Sequence, residues 1–401
     1  MKQDLFNHLS VIIVNGFTVP EVETKPKKVR PIIKWTGGKY DEFSMFCNFI
    51  PGFENYFEPF FGGGGVFFAL QPRKAFLNDR SNDLIKFYSL IHSKSLQNEL
   101  NIYCEAWDEA GKLSGEVKQI YLNKFRAFIN NETDVAILRE SIRNTIDKLS
   151  ADKTSLLFKN SFIIYPEKFI KKLEASILDK CKRIKAISIN GNRSFSDNEL
   201  EDHIETGIRS GVYLFLRELM NLACSGKVNM TEAKGVANWY FIREFCYASM
   251  FRYNSKGAFN IPYGGTAYNK KNFRVKIDNI FSEHVQQLFQ KSNFYNMDFA
   301  QFLTETKPGK DDFIFLDPPY DSEFSEYDQN SFTRVDQTRL RDVLLETKAK
   351  WMLVIKETDF IRSLYSFPQC KFIEFDKTYT YNVRGRNNRD TKHLIVVNYD
   401  V

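Results

Sequence analysis

Residues 313 to 316, Phe-Ile-Phe-Leu, run straight into Asp317-Pro318-Pro319-Tyr320, and this junction constrains the fold more than any other stretch. Four apolar residues in a row read as a strand buried on both faces. Two consecutive prolines continue neither a ladder nor a helix, so the strand ends at Asp317. In an open α/β sheet the loops leaving the carboxyl ends of the strands form the ligand crevice. Asp317 and Tyr320 are therefore expected at a binding edge. The junction alone also fits a plain turn, with Asp317 capping a backbone amide and Tyr320 a partly buried surface aromatic.

Strand and helix signals alternate on either side. Tyr56–Phe60 and Ala75–Asp79 read as short strands, the second followed by a helical pattern with Ser81 as N-cap. Strand chemistry resumes at Asn293–Met297 and returns at Trp351–Glu357, Lys371–Asp376 and His393–Tyr399. Between about 95 and 245 the chain instead shows long amphipathic patterns rich in Lys, Glu, Leu and Ile, which read as helix. The expected fold class is α/β: a Rossmann-like sheet in two sequence halves, 31–95 and 270–401, around a mainly helical insertion, 96–269. Such a sheet tolerates a guest domain in a loop at its ligand edge. Residues 1–30, ending near the charged stretch ETKPKKVRP, read as an N-terminal extension. Within the insertion, 252–265 alternates aromatics around Ser255-Lys256-Gly257, the pattern of a hairpin with glycine at its turn.

Composition narrows the classes. At 401 residues, 43% hydrophobic and 26% charged, the chain is an ordinary globular protein, neither disordered nor collagen-like. A net charge of +6 gives weak support to a polyanionic partner. Cys47, Cys104, Cys181, Cys224, Cys246 and Cys370 form no C-x-x-C and have no histidine at ligand spacing, so neither a metal site nor a disulfide framework is expected. Reduced thiols in a cytoplasmic protein are the simplest account. The apolar N-terminal stretch is interrupted by Asn7, His8 and Asn15 and lacks a cleavage pattern, so no signal peptide is expected. No run approaches the roughly 20 apolar residues of a membrane span.

Three further stretches suggest a ligand. Gly62 to Gly65 lie between a strand and an apolar helix, where backbone amides come close to a ligand and the helix dipole favours an anion. Phe67 stands where a dinucleotide fingerprint has its third glycine, and a tight turn without a ligand fits the stretch as well. Asp79, at the end of the next strand, is placed to accept both hydroxyls of a ribose, or to cap the helix near Ser81. Gly37-Gly38-Lys39, beside Trp35, would hold a small carboxylate, or form a glycine turn with a solvated lysine.

Taken in order, Lys34-Trp35-x-Gly37-Gly38-Lys39, Phe57-Glu58-Pro59-Phe60-x-Gly62-x-Gly64, Asn78-Asp79 and Asp317-Pro318-Pro319-Tyr320 resemble the Dam-type (alpha group) adenine-N6 DNA methyltransferases. The segments 252–265 and NSFTRVDQTRL, 330–340, look like parts of the same family. The resemblance implies an S-adenosyl-L-methionine-dependent enzyme acting on double-stranded DNA without a metal. Trp35 and Lys39 would cradle the methionine end of the cofactor, and Glu58, Phe60, Gly62 and Gly64 would form the glycine-loop floor. Asp79 would bind the ribose, Asp298 the adenine amino group, and Phe299 would flank the ring. Asp317 and the Pro318 carbonyl would accept the hydrogens of the target amino group, with Pro319 fixing the backbone and Tyr320 stacking on a flipped base.

For DNA, the hairpin offers Arg252, Asn254 and Lys256, with Arg243 just ahead; a two-stranded ribbon fits the major groove, where Arg or Lys reads guanine. A solvated hairpin with ordinary surface charges is the alternative. Arg384, Arg386 and Arg389 would grip phosphates, or belong to a mobile turn. A GATC-like site is the first expectation for the target, a monomer for the assembly, and a cognate restriction endonuclease one partner the resemblance allows. The alternatives are methylation of cytosine N4 or RNA adenine, and a DNA-binding relative without turnover.

Overall fold

A computed structural model describes residues 13–14, 17–18, 28–151, 155–159, 162–319, 332–378 and 390–401. Most of the N-terminal extension, Tyr320 and the arginines 384, 386 and 389 lie outside the described residues. The central sheet has seven strands: β1 (Tyr56–Glu58), β2 (Ala75–Asn78), β3 (Ser292–Tyr295), β4 (Phe313–Leu316), β5 (Lys350–Lys356), β6 (Lys371–Thr378) and β7 (Asp390–Val397). Their order is β3-β2-β1-β4-β5-β7-β6, with β7 antiparallel to both its neighbours and the other pairs parallel. The order reverses between β1 and β4, and a doubly wound sheet opens its crevice at that reversal. Glu58 ends one of these strands and Asp317 follows the other.

All four residues of β4 are buried, and the period of two explains why a strand can be apolar throughout. Phe313 and Phe315 enter one apolar cluster with Tyr56, Met352 and Val354. Ile314 and Leu316 enter the opposite one with Phe57, Trp351 and Leu353.

Helices α1 (Gly65–Leu70) and α2 (Asn82–Ser89) follow β1 and β2. Ser81 occupies the N-cap of α2, but its side chain makes no capping bond; Asp79 Oδ1 instead accepts from the Ser81 amide at 2.8 Å. The long central stretch forms α3 (Lys94–Ile129), α4 (Val135–Ser150), α5 (Pro166–Asn190), α6 (Asp197–Cys224) and α7 (Glu232–Phe245). The first apolar cluster runs without a break from the sheet into these helices. Helix α7 reaches back to the chain ahead of the sheet: the Tyr240 hydroxyl donates to the Ile32 carbonyl at 2.8 Å and Arg243 Nη2 to that of Lys34 at 2.8 Å. This contact fixes the segment that carries Trp35 and Lys39.

The 252–265 segment is less regular than a ribbon. One isolated bridge, Tyr253 to Phe259, links its arms around a turn with Gly257 at φ +73°, and a second, Cys246 to Tyr263, ties the segment to the end of α7. Side chains of α6 replace the missing ladder. Asn221 bonds both the amide and the carbonyl of Phe259, at 2.9 and 3.0 Å, and Arg217 donates to the carbonyls of Asn260 and Ile261. Among the remaining helices are α8 (Phe299–Thr306) and α9 (Arg334–Glu346).

Candidate active site

At the reversal point a cleft of about 760 Å³ opens, lined by Trp35, Lys39, Glu58, Phe60, Gly62, Asp79, Asp298, Phe299, Asp317, Pro318 and Pro319. It lies within the size range of small-molecule sites. Residues as far apart in sequence as Trp35 and Pro319 thus meet because four strand ends and the segment before β1 converge there.

Asp317 and Lys39 form its centre. Lys39 Nζ stands 2.8 Å from one carboxylate oxygen of Asp317 and 2.9 Å from the other, and donates to the Gly37 carbonyl at 3.0 Å. Lys39 is 2% exposed and Asp317 18%, so the charges lie largely out of water, where partners matter most. The sequence suggests a lysine facing a ligand carboxylate. Here it holds the strand-end acid.

Glu58 lies on the cleft floor and is buried. Its Oε2 accepts from the Tyr56 hydroxyl at 2.9 Å, two residues earlier on the same strand face. Burial pushes its carboxyl well above the usual range, and the charges of Asp317 and Asp79 add to this, while the Tyr56 bond opposes it. A carboxyl raised in the folded state contributes stability that is complete below the ordinary carboxylate range and is lost as pH rises through the raised value. Glu58→Gln is therefore expected to melt several degrees above the unmodified protein at pH 8, with the gap closing as pH falls toward about 4. Thermal unfolding across that window checks the sign.

The glycine loop is packed too tightly for side chains. A Cβ on Gly62, at φ +51°, would stand 2.8 Å from Trp35 Cδ1, and one on Gly65 would stand 2.8 Å from the backbone nitrogens of both Lys39 and Tyr40. Gly64, at φ +70°, is the N-cap of α1 and packs under the Phe61 ring rather than lining the cleft. Asp79 ties this loop to the next strand. Its Oδ2 accepts from the Gly62 amide and its Oδ1 from the Ser81 amide, each at 2.8 Å; burial raises its pKa against the pull of those amides. Beside it, buried Asn78 donates to the carbonyls of Pro59 and Met297 and accepts from the Met297 amide, joining the loops after β1 and β3.

At the far end, Asp298 caps α8 through a bond from the Ala300 amide at 3.0 Å, and the same oxygen accepts from Arg339 at 2.9 Å. Phe60, Phe299 and Phe332 close that end, with ring centroids 5.5 to 5.7 Å apart.

A family model for the D12 class N6 adenine-specific DNA methyltransferases matches residues 35–124 and 110–381. This chain belongs to that family. Among similar proteins, type II methyltransferase M1.LlaDCHI of Lactococcus lactis subsp. cremoris is 23% identical over 92% of this chain and 96% of its own. A DNA adenine methylase of Vibrio cholerae serotype O1 is 23% identical over 91% and 95%. Type II methyltransferase M.CviBI of Paramecium bursaria Chlorella virus NC1A is 34% identical over 41% of this chain, a match that spans 60% of its own length. The resemblance to Dam-type enzymes thus holds, and the chain is an adenine-specific DNA methyltransferase.

The methyltransferase family implies a methyl donor and a DNA substrate. Among the described residues no cluster of His, Cys, Asp or Glu is arranged to hold a metal, and no helix is long and apolar enough to cross a membrane. The residues expected to meet DNA are only partly placed as expected. Arg252 and Lys256 are exposed on the turn, but Asn254 Oδ1 accepts from the amides of Lys256 and Ala258, both at 3.0 Å, and so builds the turn. Arg243 is not a surface charge. It is 1% exposed, its guanidinium 4.3 Å from the centroids of both the Trp35 and Phe251 rings. In sequence it looks like one more cation before a basic turn; only the aromatic partners, 208 residues upstream and eight downstream, bury it.

Proposed function

We propose that the methyl donor is S-adenosyl-L-methionine and that the cleft holds it beside an adenine turned out of double-stranded DNA. The observation that carries this reading is the charge of the cleft. Glu58, Asp79, Asp298 and Asp317 ring it, and burial, with the charges of Asp317 and Asp79 adding to it, holds Glu58 well above the usual carboxylate range, so a ligand bearing positive charge relieves it. The glycine loop lines the cleft through Gly62, Gly63 and Gly65, which suits a ligand lying against backbone. When bound, the donor supplies a methyl group made electrophilic by its sulfonium.

In this reading Asp79 takes the ribose hydroxyls, Asp298 the adenine amino group of the donor, and Phe299 and Phe60 its ring. Trp35 and the Gly37-Gly38 turn line the methionine end, while Lys39 keeps the Asp317 carboxylate in place. The exocyclic nitrogen of adenine is a poor nucleophile because its lone pair is delocalised into the ring. Asp317 and the Pro318 carbonyl accept its two hydrogens and so localise the lone pair. The rest is positioning. An amino group inside a duplex is out of reach, so the base is flipped, and Tyr320 provides its stacking face.

The helical stretch with the 252–265 turn reads the target, through Arg252 and Lys256 at base edges and Arg384, Arg386 and Arg389 at phosphates; a GATC-like site is the first to test. Lys256→Ala is expected to relax target choice by about tenfold while leaving donor affinity within twofold. Methylation of duplexes changed at single positions reads this directly, and unchanged site preference removes the turn from recognition. Donor binding tests the charge argument. Titration with S-adenosyl-L-methionine in buffers of different ionisation heat should show proton release, which Glu58→Gln removes together with about tenfold in affinity. No proton release and equal affinity would overturn the assignment of Glu58.

A further inference from the structure

The first two turns of α9 lie behind the cleft and touch both of its ends. Gln337 is fully buried, and its Nε2 donates to the Pro319 carbonyl at 3.1 Å. Its Oε1 is buried and has no hydrogen-bond partner among the described residues. Its buried helix neighbours Leu340 and Leu344 are apolar, and a residue there for packing alone would be apolar too. A buried amide with one half unpaired is kept at a cost to stability. What it secures is the strand-end turn: prolines 318 and 319 have no N–H, so the turn's own backbone offers little to hold it.

Two residues further along the same helix, Arg339 donates to Asp298 Oδ1 at 2.9 Å and to Asp336 Oδ1 at 2.9 Å. Its guanidinium also lies 5.1 Å from the centroid of the Phe299 ring. Asp336 in turn closes a capping box with Thr333, which fixes the start of the helix. Phe332, just ahead, packs on Phe60 and Phe299.

We infer that the first two turns of α9 are a common mount for the two ends of the active site. Gln337 is a positioning residue for the Asp317-Pro318-Pro319 turn, and Arg339 one for Asp298 and Phe299. The inference rests on the reading of Asp298 and Phe299 as the adenine end of the donor pocket. The two residues therefore act on different kinetic constants. Losing the Gln337 bond lets the Pro318 carbonyl drift from the amino group, which matters only during methyl transfer. Losing Arg339 frees the carboxylate and ring that meet the donor, which matters for binding.

The test is a pair of near-isosteric variants, Gln337→Leu and Arg339→Met, with Gln337→Met made in case leucine disturbs folding. Steady-state methylation of duplex DNA gives kcat and the donor KM, and direct titration with S-adenosyl-homocysteine gives a binding constant that needs no turnover. Gln337→Leu or Gln337→Met is expected to lower kcat about tenfold or more with donor KM and melting temperature near those of the unmodified enzyme. Arg339→Met is expected to weaken S-adenosyl-homocysteine binding about tenfold with kcat changed less than threefold; Arg339→Lys, which keeps the charge, should recover part of it. A purely structural role would move kcat, KM and melting temperature together in both variants, and that result overturns the inference, as does unchanged kcat in both Gln337 variants. If the unmodified enzyme does not bind S-adenosyl-homocysteine at all, the donor assignment itself falls, which separates the two failures.

Discussion

Asp317→Asn is expected to lower methyl transfer by at least about a thousandfold while leaving donor affinity within a few-fold, because it weakens the group that localises the amino lone pair and keeps the shape. The choice of asparagine matters. Lys39 is 2% exposed and bonded to both oxygens of Asp317; asparagine keeps one oxygen to accept from it, whereas Asp317→Ala would leave the buried ammonium with neither carboxylate nor acceptor. Breaking a buried pair from one side costs about 3–5 kcal/mol, a large part of the stability of a typical protein. The alanine variant would therefore lose activity and much of its stability at once. Pairing Asp317→Ala with Lys39→Met removes the orphan charge; this double variant should regain most of the melting temperature and none of the activity. Recovery of activity in it would show that the carboxylate is dispensable.

Gly65→Ala is expected to be nearly as damaging, for a steric reason. Its Cβ would stand 2.8 Å from the backbone nitrogens of Lys39 and Tyr40, and no side chain can rotate away to make room. The backbone that carries Lys39 must move, at a cost of about 1–3 kcal/mol. A displacement near 1 Å at a reacting group costs about a hundredfold in rate, so kcat/KM should fall by that order. The control is Gly115→Ala. Gly115 lies exposed inside α3 with nothing within 4 Å of its Cβ direction, and alanine there should stabilise by up to about 1 kcal/mol with activity unchanged. Equal behaviour of the two variants in unfolding and turnover would remove the close-packing argument.

Much of this site is legible in the sequence because local rules place it. The Pro318-Pro319 stop ends β4 at a carboxyl edge, the glycine run marks a strand-to-helix turn, and Asp79 ends the next strand; all three converge on one cleft. What the sequence hides are partners chosen across the fold. Lys39 and Asp317 are 278 positions apart, and nothing in Gly-Gly-Lys says that the lysine pairs with a distant acid. Arg243 reads as a surface cation until Trp35 and Phe251 close on it. The alternating aromatics of 252–265 predict a ladder, but Phe259 and Tyr263 point into the core and α6 supplies the hydrogen bonds. Gln337 and Arg339 fall inside the family-like segment 330–340, but nothing in that segment says what either side chain holds.

The most direct test of the account is to incubate the purified enzyme and its Asp317→Asn variant with unmethylated double-stranded DNA and methyl-labelled S-adenosyl-L-methionine, then digest to nucleosides. The account predicts label in N6-methyladenine alone, with the variant at least about a thousandfold slower. Label in N4-methylcytosine, transfer only when RNA replaces DNA, or an Asp317→Asn variant as fast as the unmodified enzyme would contradict it.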